Sequence, residues 1–275
     1  MGCALMNVRV SICRWQICIV VFMLLGGVAG VQAQEVPPAD PRWDGTYRRI
    51  HVPILMYHYV SVPPEGADEY RVDLSLSPDI FRQHVDYFFY QGYTPISLYD
   101  LDRALLTGTT LPAKPVILTF DDGYADHYST VFAALQTRNF GATFFVITGR
   151  VDANDPAYLT WEQIAEMSAA GMDMEMHTKT HPDLRNRSYD YLVYELLGSS
   201  ESLGAYTPRE PRMFAYPLGN YDEAVLSILQ SMQVRRAVTT ESGALHTSDN
   251  RLEVSRLRIR NTTGIAQLEA LLQTR

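Results

Sequence analysis

Lysine is nearly missing from this chain. Lys114 and Lys179 are the only two among 23 basic residues, the others being arginine, and no function class follows from that bias. Cysteine is confined to Cys3, Cys13 and Cys18, so the rest of the chain has neither disulfides nor thiolate chemistry. There is no basic stripe, and a net charge of −8 argues against a nucleic-acid partner. No glycine-rich phosphate loop of the dinucleotide or nucleoside-triphosphate kind occurs, which argues against those cofactors. Low-complexity blocks and tandem repeats beyond a βα unit are absent too. Long apolar runs are limited to Ile17–Val31, which is short for a membrane span.

That run has the marks of an export signal. Arg9 and Arg14 precede it, and Val31-Gln32-Ala33 resembles a small-residue cleavage site. Residues 1–33 are therefore read as a signal peptide cut near Ala33, with an uncleaved anchor as the competing reading. Cleavage would remove two arginines and no acid, taking the net charge from −8 to −10. The expected location is secreted or cell-envelope, with no membrane span after cleavage. Residues 34–49, with Pro37, Pro38, Pro41 and Gly45, read as a linker. Residues 50–275 are long enough for one barrel or α/β domain.

Within them, strands and helices alternate. Ile50–Tyr57 is a candidate strand, and Ser77-Pro78 opens a helix that Gly92 closes. Tyr93–Ile96, Pro115–Phe120, Ala142–Ile147, Met172–His177, Arg212–Tyr216, Arg235–Thr239 and Ser255–Ile259 are further strands. Helices are expected over 98–106, 126–139, from Thr160 to Gly171, and over 189–203, 222–232 and 265–272. Eight strand signals alternating with helices imply parallel βαβ units, in a barrel or an open doubly wound sheet. Active residues then gather at the carboxyl ends of the strands. His58, Asp121, Asp122, His177 and Tyr216-Pro217 all fall at that edge.

The strand Val116–Phe120 ends abruptly in Asp121-Asp122-Gly123. Two adjacent carboxylates repel each other and need a cation, a metal ion or a substrate proton. As a bare strand-to-helix turn, Asp-Asp-Gly would be unremarkable. A second group, His177-Thr178-Lys179-Thr180-His181-Pro182, changes the balance. Pro182 and the preceding strand place both histidines around a loop rather than on a helix turn. Two histidines and one carboxylate suit zinc or another borderline divalent ion and leave coordination positions open. Neighbouring residues of a strand face opposite ways, so Asp121 and Asp122 can divide the work of base and ligand.

Thr119-Phe120-Asp121-Asp122, His177-x-x-x-His181 and Phe214-Ala215-Tyr216-Pro217-Leu218-Gly219-Asn220-Tyr221, in this order, resemble the motifs of NodB-homology polysaccharide deacetylases (carbohydrate esterase family four). The resemblance covers about residues 50–260 and implies a distorted (β/α) barrel of seven to eight parallel strands. It also implies hydrolysis of N-acetyl groups on an N-acetylglucosamine-type glycan, the expected partner. Carried over residue by residue, Asp121 corresponds to the general base, and Asp122, His177 and His181 to the ligands of a divalent metal. Zinc is expected, with cobalt or nickel compatible. The backbone N–H at Leu218 corresponds to an oxyanion donor.

Two departures stand out. The position of the family's bracing arginine holds Ala215, and no Leu-x-His follows Arg251. Pro53-Ile54-Leu55-Met56-Tyr57-His58 instead resembles the poly-N-acetylglucosamine deacetylase branch, which implies His58 as the general acid. Arg256 or Arg258 on the last strand is the expected substitute brace. Tyr57, Tyr59, Tyr124 and Trp161 are candidate sugar-stacking residues, against core packing as the ordinary alternative. A catalytically impaired glycan-binding protein on the same fold is the alternative function. A glycosidase ranks last, because adjacent acids cannot flank a glycosidic bond.

Overall fold

The computed structural model describes residues 42–274. The signal peptide read over residues 1–33 and the first part of the linker lie outside the described residues. The rest of that linker is tied to the domain: Asp44 N–H donates to Leu106 O and Arg48 N–H to Ser248 Oγ.

In chain order the elements are β1 (Arg49–His51), β2 (Ile54–Tyr57), α1 (Glu69–Asp73), α2 (Pro78–Gln91), β3 (Thr94–Pro95), α3 (Leu98–Thr107) and β4 (Pro115–Phe120). A π-helical turn (His127–Phe132) runs into α4 (Ala133–Gln136), followed by β5 (Thr143–Val146), α5 (Thr148–Asp152), α6 (Trp161–Ala169), β6 (Asp173–Met176) and α7 (Tyr189–Gly204). Then come β7 (Met213–Ala215), a 3₁₀ turn (Pro217–Gly219), α8 (Glu223–Ser231), β8 (Arg236–Ser242), β9 (Leu245–Thr247), β10 (Val254–Arg258) and α9 (Ile265–Leu272).

Seven parallel strands, in the order β2-β10-β8-β7-β6-β5-β4, close into a barrel through pairing of β2 with β4, and β3 adds an extra strand on β4. The sheet is therefore closed rather than doubly wound. The strand expected over Ile50–Tyr57 is split at Val52-Pro53. Proline has no N–H for a ladder, and β1 leaves to pair antiparallel with β9 instead.

Side-chain alternation separates two cores. Leu55, Leu118, Phe120, Phe144, Met174, Met176 and Phe214 face the surrounding helices. Ile54, Ile117, Phe145, Met213, Ala215, Val238 and Val254 fill the interior, with Leu98, Tyr99, Leu101 and Leu105 of α3 packed against them. Phe120 lies between Tyr57 and Phe144, with ring centroids at 4.9 and 5.0 Å. Burying a side chain of that size stabilises the fold by about 1.5–3 kcal/mol. Interior positions continue up β4 as Thr119 then Asp121, up β6 as Glu175 then His177, and up β10 as Arg256 then Arg258. The chemistry at the barrel mouth is thus the upper end of the interior stripe.

The amphipathic stretch 126–139 is not one α-helix. Its first turn takes the π register, a form that recurs at functional sites, and this turn carries His127, whose Nε2 lies 2.8 Å from His58 O. The helices α1 and α5 and the strand β9 have no counterpart among the sequence expectations.

Candidate active site and metal centre

At the end of β4 the backbone turns sharply. Asp121 N–H still donates to Tyr57 O at 3.0 Å, continuing the β2–β4 ladder. Asp122 then adopts φ 79° and Gly123 φ 77°. A Cβ on Gly123 would come within 3.1 Å of Val146 Cγ1, so both conformation and space favour glycine. Positive φ is costly for residues with a side chain. Yet four of the nine described non-glycine examples, Asp122, Thr178, His181 and Leu218, lie at this edge of the barrel.

The histidine loop is held from three sides. Glu195, fully buried on α7, accepts from Lys179 N–H at 3.0 Å, Thr180 N–H at 2.9 Å and the Thr180 hydroxyl at 2.5 Å. Thr148 and Gly149 of α5 donate their N–H groups to Thr178 O and Lys179 O at 3.2 and 2.8 Å. A Cβ on Gly149 would collide with that lysine carbonyl. His181 N–H donates to Thr178 Oγ1 at 2.9 Å. Both histidines therefore flank a loop, as Pro182 implied.

Within this frame, one nitrogen of each histidine and a carboxylate oxygen of Asp122 lie within 4.8 Å of one another. His177 Nε2 is 3.3 Å and His181 Nε2 3.5 Å from Asp122 Oδ1. A tetrahedral ion with bonds of about 2.0–2.1 Å needs ligand atoms roughly 3.3–3.4 Å apart, so this donor set fits zinc or a similar ion. His177 Nδ1 lies 2.7 Å from Ala215 O. Donation there leaves Nε2 as the free lone pair, a common outer contact of metal-ligating histidines. Burial alone would raise the Asp122 carboxyl, but hydrogen bonding and charge from His177 hold it below the carboxylate range.

Asp121 faces the interior of the barrel. Arg256 Nη1 and Nη2 donate to its two oxygens at 2.7 Å each, and Arg256 is itself 1% exposed. Arg256 is further fixed by Thr119 Oγ1 at 3.0 Å and Thr239 O at 3.0 Å. Burial works against ionisation of Asp121, yet Arg256 outweighs it and keeps the pKa lowered. His58 Nε2 is 3.9 Å from Asp121 Oδ2, and its Nδ1 is buried with no hydrogen-bond partner among the described residues. Burial lowers the His58 pKa, with Asp121 and Asp122 opposing.

Of the two arginines considered as a brace, Arg256 makes the pair and Arg258 does not. Leu218 sits on the 3₁₀ turn after β7 with φ 60°, where Gly219 packs so closely on Thr240 that no Cβ fits. The aromatic candidates divide. Tyr57 is 1% exposed, in the core beside Phe81 and Phe120, and Trp161 stacks on Tyr206 at 4.4 Å, so neither forms a sugar platform with the others. Tyr59 and Tyr124 stack at 3.6 Å and line a cavity of about 370 Å³ with Ser61, Arg71, Asp126 and Tyr158. Sequence reasoning missed Glu195, Gly149 and the role of the Ala215 carbonyl. No motif marks a buried acid on a neighbouring helix or a backbone acceptor.

A family model described as polysaccharide deacetylase matches residues 108–237. The Streptococcus pyogenes deacetylase PplD, solved in complex with acetate, is 31% identical with a TM-score of 0.76, and the match covers 82% of this chain and 100% of that one. The Bacillus subtilis (strain 168) protein YxkH, whose name carries the same family, is 27% identical over 229 residues, 83% of this chain and 78% of its own length. The poly-beta-1,6-N-acetyl-D-glucosamine N-deacetylase of Escherichia coli (strain K12) is 24% identical over 278 residues, and the match spans 83% of this chain but 40% of that relative.

Proposed function

The chain belongs to the polysaccharide deacetylase family, and on that basis we propose that it is an exported, metal-dependent hydrolase removing N-acetyl groups from an N-acetylglucosamine-type glycan. The observation that carries this reading is the donor set Asp122, His177 and His181 beside an ionised, arginine-paired Asp121. That set would hold a divalent ion, with zinc as the first choice, which would supply Lewis-acid polarisation of the acetyl carbonyl and a more acidic water.

The chain's own residues do the rest. Asp121 accepts the water proton, and Arg256 keeps it ionised and aimed. The new C–O bond forms as the carbonyl π electrons move onto oxygen, where the Leu218 N–H donates to the developing charge. The C–N bond then breaks, His58 delivers a proton to the leaving nitrogen, and acetate and a free amine remain. His58 is suited to this by position, since its ring faces Asp121 at 3.9 Å.

The alternative of a binding protein without catalysis draws its weight from Ala215 and from the displaced acid. Arg256 paired with Asp121 weighs against the first ground, and His58 at 3.9 Å from Asp121 against the second. The test is acetate release from N-acetylglucosamine oligomers by the purified protein. Activity should vanish on chelation and return with zinc. Acetate release indifferent to chelation, or tight oligomer binding with no release after zinc addition, would overturn the proposal.

A further inference from the structure

Arg258 is the cation that the catalytic arrangement leaves over. It follows Arg256 by two residues on β10, so both side chains leave the same face of the strand toward the barrel mouth. The charges that act on Arg258 are Arg260, Asp121, Arg256 and Asp73. Each acid among them is already paired with another arginine: Asp121 with Arg256 at 2.7 Å, and Asp73 with Arg260. No hydrogen bond or ion pair holds the Arg258 guanidinium among the described residues, although the residue is half-buried. A guanidinium withdrawn from water without a carboxylate is expensive, and it is preorganised to receive a carboxylate through two parallel hydrogen bonds.

The flank beside it carries a second unneutralised arginine. The helix α1 is fastened to the end of β10 by the Asp73–Arg260 pair and by Asn261 N–H donating to Asp73 O at 2.9 Å. The Arg71 guanidinium on that helix has only neutral hydrogen-bond and ring partners among the described residues. It lies over the Tyr59 ring at 3.3 Å and donates to Ser75 and Ser61. It lines the cavity of about 370 Å³ that Tyr59 and Tyr124 share. The acid of that lining, Asp126, has one oxygen engaged by Val60 N–H at 3.2 Å and the other buried without a hydrogen-bond partner among the described residues. In a chain of net charge −8, Arg258 and Arg71 place two guanidiniums beside the reactive residues, each able to receive a carboxylate.

We infer that Arg258, supported by Arg71, forms a subsite for a carboxylate carried by the glycan, on the acetamido sugar itself or on its neighbour. This deepens the deacetylase reading and rests on it. An acidic N-acetylated glycan is then preferred over the neutral N-acetylglucosamine polymer. Arg258 acts in substrate binding and specificity, and Asp121 keeps its own partner.

The test compares the zinc-loaded protein on two probes of equal length. One is an N-acetylglucosamine oligomer. The other is a peptide-free oligomer containing N-acetylmuramic acid with its free lactyl carboxylate. A third arm, an N-acetylglucosamine oligomer with a neighbouring glucuronate, distinguishes the two positions of the carboxylate. Wild type is expected to show kcat/KM at least 10-fold higher for one of the acidic probes, mainly through a lower KM, with the advantage shrinking as salt rises. Arg258→Gln should abolish most of that ratio, Arg258→Lys should restore part of it, and Arg71→Gln should reduce it further. Equal kcat/KM for neutral and acidic probes in wild type, or an Arg258→Gln variant that weakens all probes in proportion, would overturn the inference while leaving the deacetylase proposal standing. No acetate release from any probe would instead overturn the deacetylase proposal and this inference with it.

Discussion

Arg256 and Asp121 form the strongest side-chain pair at the mouth, two charge-assisted bonds of 2.7 Å with both partners buried. Removing one partner leaves an uncompensated buried charge, which typically destabilises by about 3–5 kcal/mol. Arg256→Gln should therefore lower the unfolding free energy by that order, measured by urea denaturation. It should also change the pH profile. Arg256 holds the Asp121 pKa low, so wild type keeps its ionised base to low pH. Without the guanidinium that pKa rises, and the acidic limb of kcat/KM moves to higher pH. An acidic limb that stays in place would argue that Asp121 is not the base. His58→Ala should lower kcat by roughly 10²–10⁴, the usual contribution of a placed proton donor. Metal content measured by elemental analysis should not change, because His58 is not among the ligating set.

Elements place these residues, and here the sequence was legible unevenly. Strand ends were readable, because apolar runs stopping at Asp121 and His177 are local patterns and alternation then assigns the inward face. The same period of two puts Arg256 and Arg258 on one face and leaves both open as the brace, and only the packing against Thr119 and Thr239 selects Arg256. The histidine loop was readable as a loop from Pro182, but its restraints were not. Glu195 is a mid-helix glutamate whose ordinary expectation is solvent, and only tertiary packing turns it inward against Lys179 and Thr180. The π turn under His58 was equally hidden, since its apolar spacing passes for an α-helix. Aromatic residues misled for the same reason: Tyr57 and Tyr59 are two apart, and one is core while the other lines the cavity. Glu195→Ala frees the loop that separates both histidines. It should weaken zinc affinity about 10–100-fold, the usual cost of losing support behind a ligand, as read by competition with a chromogenic chelator. Unchanged affinity would show that α5 and the His181–Thr178 hydrogen bond hold the loop without Glu195.

At the scale of the whole barrel, the interior stripe that ends in catalytic groups begins in another buried acid. Met172, Met174 and Met176 alternate with Asp173, Glu175 and His177, a pattern that suggests one wet face. In a closed barrel the polar face is enclosed instead. Glu175 is 1% exposed and accepts from Tyr99 Oη at 2.7 Å, Met213 N–H at 2.8 Å and Arg212 N–H at 2.9 Å. It thereby joins β6, β7 and α3 at the end of the barrel opposite the mouth. Burial, with Asp173 adding to it, pushes its pKa up to about 8, while those donors pull it back. Burial also lifts Asp173 to about 6. Between pH 4.5 and 8 the folded protein keeps the Glu175 proton and the unfolded chain has lost it, so stability falls as pH rises through that window and levels off above it. The full loss is on the order of 5 kcal/mol at most. Glu175→Gln cannot ionise, so its urea midpoint should fall far less than that of wild type from pH 5 to pH 8. Parallel curves for the two proteins would mean that the three donors keep Glu175 ionised throughout, and that the buried charge is borne by the barrel at neutral pH.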